Sequence, residues 1–110
     1  MLPNQYEAYI PPAKLTGYLL SPTHAIGKSK AKFFTARGFS SAEATVLEQA
    51  LLKIAHSTET VIEVEDTDQD AKYVIEGSLD TPLGETVLVR TVWIIETGET
   101  RPRFVTAYPV

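Results

Sequence analysis

Cysteine is absent from this chain of 110 residues, which excludes disulfides, a thiol nucleophile and any thiolate metal site. Long apolar runs are missing too. Stretches such as Val92-Trp93-Ile94-Ile95 fall far short of the roughly 20 residues that a membrane-spanning helix needs. The opening residues, Met1-Leu2-Pro3-Asn4-Gln5-Tyr6, offer neither a basic start nor an apolar core, so no secretory signal is expected. The expected location is cytoplasmic. Histidine is scarce, at His24 and His56 only; with no cysteine and no His-x-x-x-His spacing, a zinc site has no support. Two further absences are local. Between Lys14 and Arg37 there is no Asp or Glu, while Lys14, Lys28, Lys30, Lys32 and Arg37 fall in that stretch. From Glu59 to Asp70 there is no Lys or Arg among Glu59, Glu63, Glu65, Asp66, Asp68 and Asp70. The net charge is −4, yet charge segregated in this way lets an acidic chain present a positive surface.

What is present reads as one α+β domain over residues 1–110, helices first and strands afterwards. Length and composition suit a single core without staples. Residues 1–11, closed by Pro11-Pro12, form an extended arm, and residues 12–57 are helical. Pro12 suits the first turn of a short helix through Lys14, Leu15, Tyr18 and Leu19. Ser21-Pro22 breaks it. A second helix is predicted over residues 27–37, anchored by Ile26, Phe33 and Phe34, with Gly38 as its left-handed stop. Ser40-Ser41-Ala42-Glu43 has the form of a capping box, and Leu47, Leu51 and Ile54 mark the apolar face of a third helix. Residues 59–110 then change to period two. Strands are expected at 60–65, with Ile62 and Val64 facing in, at 72–79, at 85–96 and at 103–108. Asp66-Thr67-Asp68-Gln69-Asp70 supplies a turn. Such short connections give a four-stranded antiparallel meander with the helices on one face. The other face of the central strand is expected to take the arm or a partner.

Several motifs fail on inspection. Gly27-Lys28-Ser29 ends like a phosphate-binding P-loop, but Pro22 stands where its first glycine belongs and no strand precedes it. Asp66-x-Asp68-x-Asp70 opens like a calcium loop, but Ala71 replaces the glycine and Gly77 the closing carboxylate. No Gly-x-Ser-x-Gly elbow exists for a serine hydrolase. What survives is a set of cations, hydroxyls and one imidazole, with neither metal nor cofactor expected. His24 lies on a loop ahead of a helix whose first turns carry Lys28, Lys30 and Lys32, and a helix N-terminus favours anions. The plainer readings are a capping histidine and a solvated lysine face. Arg90 and Thr91 sit inside an apolar strand, with Arg103, Thr106 and Tyr108 on its neighbour. An arginine there needs a partner, and Glu63 or Glu76 could supply it. Base, acid and phosphate-binding cations are the parts that RNA cleavage through the ribose 2′-hydroxyl requires.

The run Lys14-Leu15-x-x-Tyr18-Leu19-Leu20, then His24-x-x-Gly27-x-x-Lys30-Ala31 before Phe33-Phe34, then Gly38-Phe39, resembles a small bacterial domain family of unknown function. The close, Val89-Arg90-Thr91-Val92-Trp93 followed by Pro102-Arg103-Phe104-Val105-Thr106-Ala107-Tyr108-Pro109, resembles the end of that domain. The likeness runs from about Lys14 to Pro109, with Ala25 standing where many relatives have proline. The family looks similar to the barnase, EndoU, colicin and RelE-like class of toxin RNases. That resemblance implies His24 as base or acid, with Lys30 and Arg90 as transition-state cations. It implies Thr91 and Thr106 as orienting hydroxyls, and RNA held also by Lys28, Lys32, Arg103 and Tyr108. It further implies a small antitoxin or immunity protein as partner. The acidic balance of the chain keeps open an alternative: a non-catalytic interaction module that binds a partner through its acidic hairpin or sheet face.

Overall fold

The computed structural model describes residues 2–25, 27–57, 61–66 and 70–110. Ile26, the first residue of the 60–65 strand and the centre of the Asp66-to-Asp70 turn lie outside the described residues. Helices precede strands, as the change of hydrophobic period requires. Helix α1 (Pro12–Lys14) runs straight into a π-helical turn (Leu15–Leu19), followed by α2 (Lys28–Ala36) and α3 (Ala44–Ser57). The strands are β1 (Val61–Asp66), β2 (Asp70–Asp80), β3 (Thr86–Glu96) and β4 (Arg103–Pro109). They form one antiparallel sheet in the order β1-β2-β3-β4. This is the expected α+β meander.

The core lies between the helices and one face of the sheet. Leu19, Phe34, Leu47, Leu51 and Ile54 meet Ile75, Leu79, Val89, Trp93, Phe104 and Ala107 there, all buried. Each such side chain contributes about 1.5–3 kcal/mol through burial. Trp93 and Phe104 face each other in register and pack edge to face at 5.3 Å. Thr91 shares this inner side and is fully buried. Its hydroxyl donates to the Ile75 carbonyl at 3.1 Å and accepts from the Trp93 indole N–H at 2.9 Å.

The N-terminal arm joins the same core instead of crossing to the outer face. Leu2, Ala8 and Ile10 are buried in it, and the Gln5 side-chain amide donates to the His56 carbonyl. Tyr9 then lies along β4: its N–H donates to Pro102 at 3.0 Å, and its carbonyl accepts from Phe104 at 3.0 Å. The outer sheet face therefore stays uncovered by the arm.

Two local expectations are corrected. Ile62, expected to face in, is 41% exposed, and Val64 shares the inner side with Tyr73 and Trp93 by register yet is 51% exposed. A bulge between Val61 and Glu63 breaks the alternation, and α3 packs chiefly on β2. Ser40 and Glu43 form no capping box: Ser41–Glu43 tightens into a 3-10 turn, with no bond from the Ser40 side chain to the helix. Gly38 does adopt the left-handed conformation, at φ 97°.

Candidate functional site

Tyr18 is the hub of the site. The π-helical turn places it beside β4, where its phenol hydroxyl lies 2.9 Å from the Thr106 hydroxyl. The ammonium groups of Lys14 and Lys30 stand 5.0 and 5.8 Å from the centre of its ring, within the range of cation–π attraction. The His24 ring meets it edge-on at 5.1 Å. Beside Tyr18 lies a cleft of about 580 Å³, lined by Lys14, Tyr18, His24, Arg103 and Thr106 among others. Among the described residues no carboxylate pairs with Lys14 or Lys30; the ion pairs are Arg37–Glu85, Lys53–Asp80, Arg90–Glu76 and Arg103–Glu96.

Local sequence explains how each group arrives. The Ser21 hydroxyl accepts the backbone N–H of Thr23 at 3.4 Å, an ST-turn, and that of His24 at 3.2 Å, which together coil the loop after Leu20. Gly27 then donates its N–H to His24 Nδ1 at 2.9 Å. With Nδ1 accepting, the neutral ring carries its proton on Nε2. Gly27 also lies so close to the π-helical turn that an added Cβ would collide with the Tyr18 carbonyl oxygen. Thr106 owes its aim to a second bulge. Val92 pairs with Thr106 and Trp93 with Phe104, leaving Val105 unmatched, and such bulges re-aim side chains beside functional sites.

The sequence-predicted residues divide into four groups. His24, Lys30, Arg103 and Thr106 come together around Tyr18. Arg103 reaches the cleft while its guanidinium Nε donates to Glu96 at 3.0 Å. Arg90 and Tyr108 face each other on β3 and β4; strand parity puts them on the outer sheet face, one pair beyond Thr106. Arg90 bonds Glu76 at 3.3 Å, one of the two carboxylates expected for it. Lys28 and Lys32 line a separate groove on α2. Thr91 is in the core, with its hydroxyl committed on both sides.

Sequence reasoning did not select Tyr18 or Lys14 as site residues. Their spacing of four, immediately before the Ser-Pro break, was the available signal. The cleft joins cations to a phenol, a hydroxyl and an imidazole, a set suited to an anion and to proton transfer. Among the described residues no three of His, Cys, Asp or Glu assemble as metal ligands, and no helix is long and apolar enough to cross a membrane.

Comparison with known proteins adds the fold's relations. No curated protein matches the sequence. Among solved structures, a chain of the "Contact-dependent growth inhibition toxin - immunity protein complex from Klebsiella pneumoniae 342" superposes with a TM-score of 0.75. The two are 12% identical, over 96% of this chain and 95% of that one, so the likeness is one of fold. A family profile spans residues 1–110. The chain belongs to the family described as domain of unknown function DUF6883.

Proposed function

We propose that the Tyr18 cleft cleaves RNA by attack of a ribose 2′-hydroxyl on the adjacent phosphate, in the manner of toxin RNases. The observation that carries this reading is the convergence of His24, Lys14, Lys30 and Thr106 on Tyr18. In the reaction O2′ bonds to phosphorus, the bond to O5′ breaks, and one proton passes from the 2′-hydroxyl to the leaving oxygen. His24, a donor at Nε2 when Nδ1 accepts from Gly27, is assigned to the leaving oxygen. The Tyr18–Thr106 hydroxyl pair is assigned to the 2′-hydroxyl. Lys14, Lys30 and Arg103 hold the phosphate and its developing charge, and Arg90 extends that field along the outer sheet face.

Purified protein incubated with RNA in EDTA is expected to leave 2′,3′-cyclic phosphate and 5′-hydroxyl ends. His24→Ala and Tyr18→Phe should each lower the rate by about 10²–10⁴, the range for general acid–base groups, and Lys30→Ala should weaken it as well. A folded wild-type protein that cleaves no RNA, or a His24→Ala protein of full activity, would overturn the reading.

The acidic strand β1 supports a second reading. Glu63, Glu65 and Asp66 stand exposed beside exposed Ile62 and Val64, a surface suited to a basic protein partner. The structural neighbour is itself part of a two-protein complex. Growth arrest on expression that survives His24→Ala would favour this interaction role over catalysis.

A further inference from the structure

A second cavity lies on α2, away from the Tyr18 cleft. It is a groove of about 680 Å³, whose lining joins apolar Leu20, Pro22 and Ala31 to Lys28, Lys32 and Ser41. Helical spacing explains its composition. Lys28, Ala31, Lys32 and Thr35 recur at i, i+3, i+4 and i+7 and so share one face of α2, and all four line the groove. Lys30 is turned about 200° from Lys28 and reaches the Tyr18 ring instead. One nine-residue helix thus lines the groove with one face and sets Lys30 against the Tyr18 ring with another.

The segment between them is their common wall. Pro22 lines the groove and His24 the cleft, two residues apart on a loop held by the Ser21 hydroxyl and by the bond from Lys28 N–H to the His24 carbonyl at 3.0 Å. Around this wall the charge has one sign. Between Glu7 and Glu43 the sequence has no carboxylate, and among the described residues none pairs with Lys28, Lys30 or Lys32.

We infer that the groove is a second nucleotide subsite, which seats the part of a single-stranded RNA flanking the scissile phosphate. This rests on the cleavage reading for its register but makes its own claim about binding. Lys28 and Lys32 take the flanking phosphates. The apolar lining takes the face of an unstacked base, and the Ser40 and Ser41 hydroxyls lie within the same groove as partners for sugar or base edges. A duplex keeps its bases stacked inside and cannot offer one to that lining, so the substrate is single-stranded.

The test compares wild-type protein with the Lys28→Ala/Lys32→Ala double variant, using a fluorescent octanucleotide of RNA, the same sequence as a duplex, and a dinucleotide phosphodiester. Wild type should bind the single strand more tightly than the duplex. The double variant should bind the octanucleotide roughly tenfold more weakly. Its slope of log affinity against log salt should fall by about 0.7 for each lysine removed. In cleavage, KM for the octanucleotide should rise with kcat and dinucleotide turnover unchanged. Equal binding by the two proteins, equal affinity for single strand and duplex, or no binding by wild type would each overturn the subsite. Binding that behaves as expected without cleavage would overturn the cleavage reading alone and leave the subsite standing.

Discussion

Gly27 and Gly17 flank Tyr18 within ten residues of each other, and they have opposite reasons to be glycine. At Gly27 an added methyl would meet the Tyr18 carbonyl oxygen and ring; the obstacle is mostly backbone, so the loop itself must move. Gly27→Ala should cost about 1–3 kcal/mol, as overpacking does, visible as a fall in Tm of at least about 4 °C. Under the proposed cleavage it should also lower the rate, because the same loop holds His24. At Gly17 an added Cβ meets only Ala13, at 4.0 Å, so Gly17→Ala should leave Tm unchanged or raise it. Thermal unfolding of the two variants side by side checks both. Single residues were legible in the sequence to unequal degrees. His24 and Lys30 stood out because their spacing around Gly27 is a pattern of side chains. Thr91 looked equally chemical, yet its parity with Val89 and Trp93 already placed it on the apolar side of β3. Tyr18 was legible as an aromatic on a helix and not as a hub, because its neighbours come from β4 and α2.

Among the elements, the N-terminal arm does more than its sequence announced. Two prolines marked its end, but nothing local shows that Leu2 is fully buried or that Tyr9 extends the sheet beside β4. The pairing of Tyr9 depends on Pro102 and Phe104, more than ninety positions away, and the arm also meets α3 through Gln5 and His56. Leu2→Ala should therefore behave as a core truncation and cost about 2–5 kcal/mol, measured by urea unfolding; a loss below 1 kcal/mol would show the arm to be dispensable. The long helix and the β2–β3 hairpin were legible because each carries a full hydrophobic repeat. The capping box was not realised, since a 3-10 turn takes up Ser41–Glu43 before α3 begins. In β1 the bulge takes Ile62 out of the alternation, while Val64 keeps the inner side and stays exposed because α3 packs on β2. The π-helical turn could not be read at all: its extra residue per turn leaves no mark in a pattern of period 3.6.

For the whole molecule, charge and connectivity have separate consequences. A net charge of −4 would weaken attraction to a polyanion if it were evenly spread, but Lys14, Lys28, Lys30 and Lys32, which have no carboxylate partner among the described residues, gather around the cleft and groove. Connectivity ties the two ends of the chain together. The Asn4 amide donates to the Thr100 carbonyl at 2.9 Å, and Arg101 donates to the Glu7 carbonyl at 3.1 Å. A chain ending at Thr100 would lack β4, leaving Trp93 without Phe104 and Tyr9 without its strand. It should show no cooperative unfolding transition in circular dichroism, and a sharp transition would refute this view of the arm.

The seam between arm and last strand also sets a schedule. Arg103 and Thr106, two walls of the cleft, belong to β4, which follows every helix in chain order, and the arm cannot settle until that strand is made. A partly synthesised chain therefore carries His24 and its lysines without the opposing wall. The cleft exists only once β4 has been made and paired with β3.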